Sequence, residues 1–318
     1  MTVYHIIDHA GFGTIHRLLY PLRDAYVDHR VWTRKSPEQL IDEAQIAAII
    51  SNKDARVVVH STGNIDNICR GVLAALHLPA GRGFVFLHTS YTYQKTKGRG
   101  DMLYVLQELQ EKYNYTVLTP SKEVAIQYCE LGIKAVPVQL GVPGIMRKPE
   151  SAEYRDELAP YYGRYITTCS SGKEIYRYVK GIDRFIALSQ KYGLEKECLI
   201  AGISLSDQLI ESAAFDEDDF LNVLYHAKAY IQLSRFESYN LTAAWAKQFR
   251  VPVLVLGVEG TWSSLGQYAL GSEAELEEKL KQVIEGIYPE EWLDICCRNS
   301  IRRESLESFH KSLMEALR

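Results

Sequence analysis

The sequence predicts an α/β protein made of two βαβ domains, each a parallel sheet with helices on its faces. Three observations predict it. Short apolar runs alternate with amphipathic helical stretches along most of the chain, the pattern of repeated βα units. A stretch rich in proline and charge, Gly141 to Tyr162, interrupts that alternation near the middle and reads as a linker. At 318 residues the chain has room for two domains of ordinary size.

The elements follow in order. Val3 to Ile7 is a strand interrupted by His5. The glycine turn Gly11-Phe12-Gly13 comes next, then a helical run through Ile15, Leu18, Leu19 and Leu22. Arg56 to His60 is a strand, Ile65 to Leu76 a helix, and Gly83 to His88 a strand. Asp101 to Tyr113 is an amphipathic helix carrying Leu103, Leu106 and Leu109 on one side. Tyr115 to Leu118 is a strand, Ser121 caps a helix over Lys122 to Leu131, and Ala135 to Leu140 closes the first series. The second series begins with a strand at Arg164 to Thr168, a helix at Gly181 to Tyr192, and a strand at Glu197 to Gly202. A short helix at Asp218 to His226 leads to the strand Ala229 to Leu233. The helix Thr242 to Gln248, the strand Val251 to Leu256 and the helix Glu273 to Gly286 follow. The tail from Pro289 to Arg318 is helical, with Phe309, Leu313 and Leu317 on one face.

Composition narrows the function. A net charge of −4 and a pI near 6.2 give no electrostatic footprint for nucleic acid. No apolar run approaches the roughly 20 residues needed to span a bilayer. The first residues open into a strand and lack the basic start of a signal peptide. The six cysteines show no zinc spacing, and the vicinal pair Cys296-Cys297 bridges badly. A reducing cytoplasm is the expected compartment. No acidic pair marks a metal site. Peripheral membrane contact stays open, although no basic amphipathic helix stands out.

The most informative segment runs from Leu233-Ser234-Arg235-Phe236-Glu237-Ser238-Tyr239-Asn240-Leu241-Thr242 to Val251-Pro252-Val253-Leu254. An apolar strand ends in a small-polar turn with one carboxylate, and a helix starts at once. A helix N-terminus at the carboxyl end of a strand presents amide donors and a positive dipole end, a seat for phosphate. A carboxylate beside it suits sugar hydroxyls. In doubly wound sheets ligands lie beyond the carboxyl ends of strands. Gly13, His60, His88, Ser121, Gly202 and Glu237 all lie at or just after such ends.

This segment resembles the donor-site signature of the retaining glycosyltransferases of family 4. The resemblance extends through Gly11-Phe12-Gly13, through Ser121 with Leu131-Gly132-Ile133 and Gly141-Val142, and through Lys180-Gly181. It implies two Rossmann-like βαβ domains facing across a cleft, the GT-B fold. Residues 1–145 would form the acceptor-side domain and 163–300 the donor-binding domain. A helix over about 301–318 would pack back on the first. The resemblance further implies transfer of a sugar from a nucleotide-diphosphate sugar to an unknown acceptor, with retention and without a metal or other cofactor. His88 would orient the sugar, Glu237 would hold its hydroxyls, and Lys180 would stabilise the diphosphate. Lys173 or Arg177 would supply a second cation, the choice between them open. Gly13, Ser238 and the backbone of Tyr239, Asn240 and Leu241 would meet the donor.

Two departures accompany the resemblance. Trp245, placed by the resemblance among the donor-binding residues, stands where the family carries its second Glu, which binds the ribose. The region between Gly202 and Ala229 is shorter than the family's base-binding strand and loop. They motivate a second reading, a non-catalytic GT-B-like subunit that binds a glycan or partners an active transferase. A remoter reading is another two-domain enzyme acting on activated sugars, such as an epimerase.

Overall fold

The computed structural model describes residues 1–7, 13–33, 40–61, 67–76, 78–142, 153–169, 171–204 and 209–318. The chain divides into two units, Met1–Pro143 with Ser305–Arg318, and Gly144–Glu304. Both are parallel-sheet α/β structures, as the alternation of apolar runs predicts.

Unit 1 contains β1 (Val3–Ile7), α1 (Gly13–Ala25), β2 (His29–Thr33), α2 (Glu43–Ser51), β3 (Arg56–Ser61), α3 (Asn67–Leu76) and β4 (Gly83–Leu87). It continues with α4 (Tyr91–Thr96), α5 (Met102–Tyr113), β5 (Thr116–Thr119), α6 (Lys122–Glu130) and β6 (Ala135–Pro137). All six strands are parallel, in the order β2-β1-β3-β4-β5-β6. The order reverses between β1 and β3. On one face Tyr4, Ile6, Val57, Val59, Val85, Leu87 and Val117 join Ile49, Leu73, Leu106, Leu109 and Tyr128 in a continuous core. Burying a side chain of this size contributes about 1.5–3 kcal/mol. Ser121 accepts from the Val124 amide and starts α6; Asp42 and Gln45 close a capping box on α2.

Unit 2 contains β7 (Tyr165–Thr168), α7 (Glu174–Val179), α8 (Ile182–Tyr192), β8 (Cys198–Ala201), β9 (Glu211–Ala213), α9 (Glu217–Tyr225) and β10 (Ala229–Gln232). It closes with α10 (Leu241–Gln248), β11 (Val253–Val255), α11 (Thr261–Leu265), α12 (Glu273–Ile284) and α13 (Glu290–Arg303). Its five parallel strands run β11-β10-β7-β8-β9. The order reverses between β7 and β10, so the crevice beyond their carboxyl ends is the natural ligand position. The last helix, α14 (Leu306–Ala316), belongs to unit 1. Ser305 bridges Val142, Ser312 Oγ accepts from the Gln139 amide, and Arg56 Nε donates to the Leu317 carbonyl.

Several elements go beyond the sequence reading, the helices α2, α4 and α11 among them. β2 and the three-residue β9 are edge strands, covered on fewer sides, so their sequences lack a clean apolar signal. α7 is a single short helix inside what reads as a loop. Of the linker, Asp156 to Tyr161 is a short 3-10 turn, and residues 143–152 lie outside the described residues.

Candidate active site

Unit 2 places its candidate residues on both sides of the strand-order reversal. Lys180 caps the C-terminus of α7, which follows β7; Glu237 follows β10. Lys180 Nζ donates to Glu237 Oε2 at 2.6 Å. Burial pulls the ammonium's pKa down, and the Glu237 carboxylate outweighs it, leaving the pKa raised and the ammonium charged.

Gly181 allows this approach. Its φ of +66° starts α8, and a Cβ there would overlap the Leu233 carbonyl at the end of β10. Only glycine lets the α7–α8 turn lie against that strand.

Gln232, which the sequence reading did not single out, organises the ground between the two. Its Nε2 donates to the Lys180 carbonyl at 3.0 Å and to Ser234 Oγ at 2.7 Å. Its Oε1 accepts from Tyr230 Oη at 2.7 Å and from Thr168 Oγ1 at 3.2 Å. The available signal was a lone amide in an apolar strand, since a buried polar group needs partners. Arg235, by contrast, is committed to structure. Its guanidinium donates two hydrogen bonds to Asp183, at 2.7 and 2.6 Å, and lies over the Tyr178 ring.

The turn after Glu237 is held by the loop beyond β11. The Glu237 amide donates to Glu259 Oε2 at 3.2 Å, and the Gly260 amide donates to the Glu237 carbonyl at 2.9 Å. Asn240 caps α10 by accepting from the Ala243 amide. Ser238 is half-buried, while Tyr239, Asn240 and Leu241 are buried, and the Asn240 side chain occupies the helix start.

Trp245 is 3% exposed. Helix α10 is buried nearly all round, because α13 packs on it through Ser300, whose Oγ donates to the Ala244 carbonyl. Lys247 and Glu304 form an ion pair of 2.6 Å at the same junction. The residue at the second-Glu position is therefore a core side chain. Lys173, exposed, precedes α7, and the half-buried Arg177 lies in its last turn.

In unit 1, His88 lies directly after β4. His88 Nε2 is hydrogen-bonded to His60 Nδ1 at 2.9 Å, and the Phe86 ring stacks against both imidazoles. Burial pushes the His88 pKa down to about 3, so the ring is neutral at physiological pH. Gly13 is the first residue of α1; Gly11 and Phe12 lie outside the described residues.

Among solved structures the chain is similar to sucrose-phosphate synthase from Thermosynechococcus elongatus, at 12% identity and a TM-score of 0.68, over 99% of this chain and 98% of that one. It is similar to the UDP-forming trehalose-phosphate synthase of Burkholderia xenovorans, at 10% identity and 0.65, over 100% and 99%. It is also similar to the N-terminal domain of the trehalose-6-phosphate phosphatase of Candida albicans, at 8% identity and 0.63, over 99% and 96%. The fold is thus that of the GT-B proteins. No protein-family model matches the chain, and no curated protein matches it in sequence.

Proposed function

We propose that the chain is a glycosyltransferase that moves a sugar from a nucleoside diphosphate sugar to a sugar-class acceptor, with retention, in the manner of family 4. The observation that carries the reading is the Lys180–Glu237 pair at the β7/β10 reversal, on a fold shared end to end with two sugar-phosphate synthases. A lysine beside a departing diphosphate neutralises the charge that grows on it, so no metal ion is required for that task. Lys173 or Arg177 adds a second cation. Glu237 holds the donor-sugar hydroxyls, and the amides at Ser238 to Leu241 meet the phosphate at the start of α10. Gly13 and His88, in unit 1, keep the donor-side roles that the family resemblance gives them. Trp245 serves packing and leaves the ribose to other groups. Among the described residues five cysteines are free thiols, which fits a reducing cytoplasm. Among the described residues no helix is long and apolar enough to cross a membrane.

The test is a panel of UDP-, GDP-, ADP-, CDP- and dTDP-sugars, read by thermal shift and by released nucleotide together. Stabilisation by one donor with slow release of its nucleotide supports a transferase. No shift with any donor moves the reading to a non-catalytic subunit. That second reading is favoured by the buried Trp245 and by the appearance of the same fold in a chain named for a phosphatase.

A further inference from the structure

Five histidine rings stand in one hydrogen-bonded row within unit 1. His310 Nδ1 meets His29 Nε2 at 3.1 Å, and His29 Nδ1 meets His5 Nε2 at 2.8 Å. His5 Nδ1 meets His60 Nε2 at 2.8 Å, and His60 Nδ1 meets His88 Nε2 at 2.9 Å. Successive ring centroids lie 5.1–5.2 Å apart along the whole row.

The sheet register builds it. His29 pairs with Val3, two residues before His5. His5 pairs with Val58, two residues before His60, and His60 pairs with Phe86, two residues before His88. Each step crosses one strand and advances two residues, so all four rings share one face. That face is opposite the one carrying Tyr4, Ile6, Val57 and Val59. His310 on α14 adds the fifth ring, stacked on Tyr26 with centroids 3.7 Å apart.

A neutral imidazole has one N–H and one lone pair. His29, His5 and His60 have both nitrogens in the row, so each must donate on one side and accept on the other. If one ring exchanges its proton position, its neighbours must follow, or a bond is left with two protons or none. Only two arrangements satisfy all four bonds: every ring protonated on Nδ1, or every ring protonated on Nε2. In the first, His88 Nδ1 carries a proton and His310 Nε2 a lone pair; in the second the ends are reversed. The two hold the same five protons. Interconversion passes one proton across each bond, with one taken up at one end nitrogen and one released at the other.

Burial keeps the rings neutral and the count fixed. His29 is pulled to about 4 by burial and then by His310, against an opposing push from Asp28; His5 and His60 are lowered well below the free value by burial and by their histidine neighbours. Burial also lowers His310, with Asp28 opposing. Among the described residues no group of His, Cys, Asp or Glu is arranged to hold a metal ion, so the nitrogens serve one another.

We infer that His60, His5, His29 and His310 are positioning residues for His88, forming a two-state proton relay that decides whether His88 Nδ1 acts as a donor or an acceptor. The relay depends only on the row; its consequence for sugar transfer rests on the function proposed above. In the proposed reaction a sugar pose that suits one tautomer of His88 does not suit the other.

The test reads ring nitrogens by two-bond 1H–15N correlation NMR on the full chain labelled with 15N-histidine. In the unmodified protein His88, His60, His5 and His29 should all show one tautomer, or exchange together. Mixed tautomers among them overturn the relay, and this measurement needs no variant. His310→Phe keeps a ring to stack on Tyr26 and removes the terminal nitrogens. It should shift the His88 ring nitrogens in the otherwise unchanged chain, and should leave them unshifted when His5→Phe already interrupts the row. An unmoved His88 in His310→Phe alone overturns the inference. Failure to turn over any nucleotide sugar would count against the proposed function and leave the NMR result to decide the relay. With a donor identified, His310→Phe should lower kcat several-fold while leaving KM unchanged.

Discussion

Lys180 Nζ and Glu237 Oε2 stand 2.6 Å apart, joining the end of α7 to the turn that follows β10. Fifty-seven residues of chain separate them, and the β7/β10 reversal brings them together. Lys180→Met should fold, keep most of its apolar stem contacts, and lose about 10²–10³-fold in kcat, the usual cost of removing a donor aimed at developing charge. Glu237→Gln should cost about 1–3 kcal/mol of stability in denaturant unfolding, because a partner of a mostly buried charge is lost. It should also reduce kcat/KM. Full activity in Lys180→Met would remove the assignment.

Gly181 and Gly193 share the same backbone, φ 66° and ψ 33°, at opposite ends of α8. Their surroundings differ: a Cβ at Gly181 overlaps the Leu233 carbonyl, and one at Gly193 meets nothing within 4 Å. Gly193→Ala should therefore cost only the left-handed penalty, about 1–2 kcal/mol. Gly181→Ala adds a backbone clash and should cost more than about 3 kcal/mol. Urea unfolding of the two variants side by side checks the ordering; equal costs would contradict it.

Lys247 and Glu304 are 4% and 3% exposed at the α10–α13 junction. Lys247 also donates to the Ser264 carbonyl at 3.0 Å, and Glu304 accepts from Ser300 Oγ at 2.6 Å and Tyr239 Oη at 3.4 Å. Removing the cation alone strands a carboxylate in the core. Lys247→Met should cost about 3–5 kcal/mol, and adding Glu304→Leu should recover a large part of it. A double variant as unstable as the single one would argue against this account.

The histidine row gives unit 1 a signature under acid. His88 and His29 have folded-state pKa values of about 3 and about 4, against 6.5 for the free ring. The unfolded chain therefore takes up protons first as pH falls. The contribution is fully present above 6.5 and is lost downward through that window, at about 1.4 kcal/mol per pH unit for each ring. Thermal midpoints should fall steadily between about pH 6.5 and pH 4, and His88→Gln should flatten the fall. A midpoint unchanged across this range would contradict buried neutral rings.

Much of the fold was legible because its strands are central and apolar. Val57-Val58-Val59 and Phe84-Val85-Phe86-Leu87 are covered on both faces and read as continuous apolar runs. His29 to Thr33 was missed because it lies at the sheet edge, where an arginine and a threonine are tolerated. Glu237 and His88 stood out as polar groups at strand ends, and Lys180 as the cation before a glycine and a helix. Gln232 and the burial of Trp245 did not, since the first depends on what lies beside β10 and the second on α13 covering α10.

The sequence by itself determined the periodicities, hence two series of βα units, the cap at Ser121, and the helix start after Glu237. Tertiary structure alone decided which distant residues meet. Hydrophobic period specifies which face a residue takes, but not which strand lies beside it or in what register. Strand order brings Lys180 to Glu237, and a two-residue stagger per strand turns four scattered histidines into a row that α14 completes with His310.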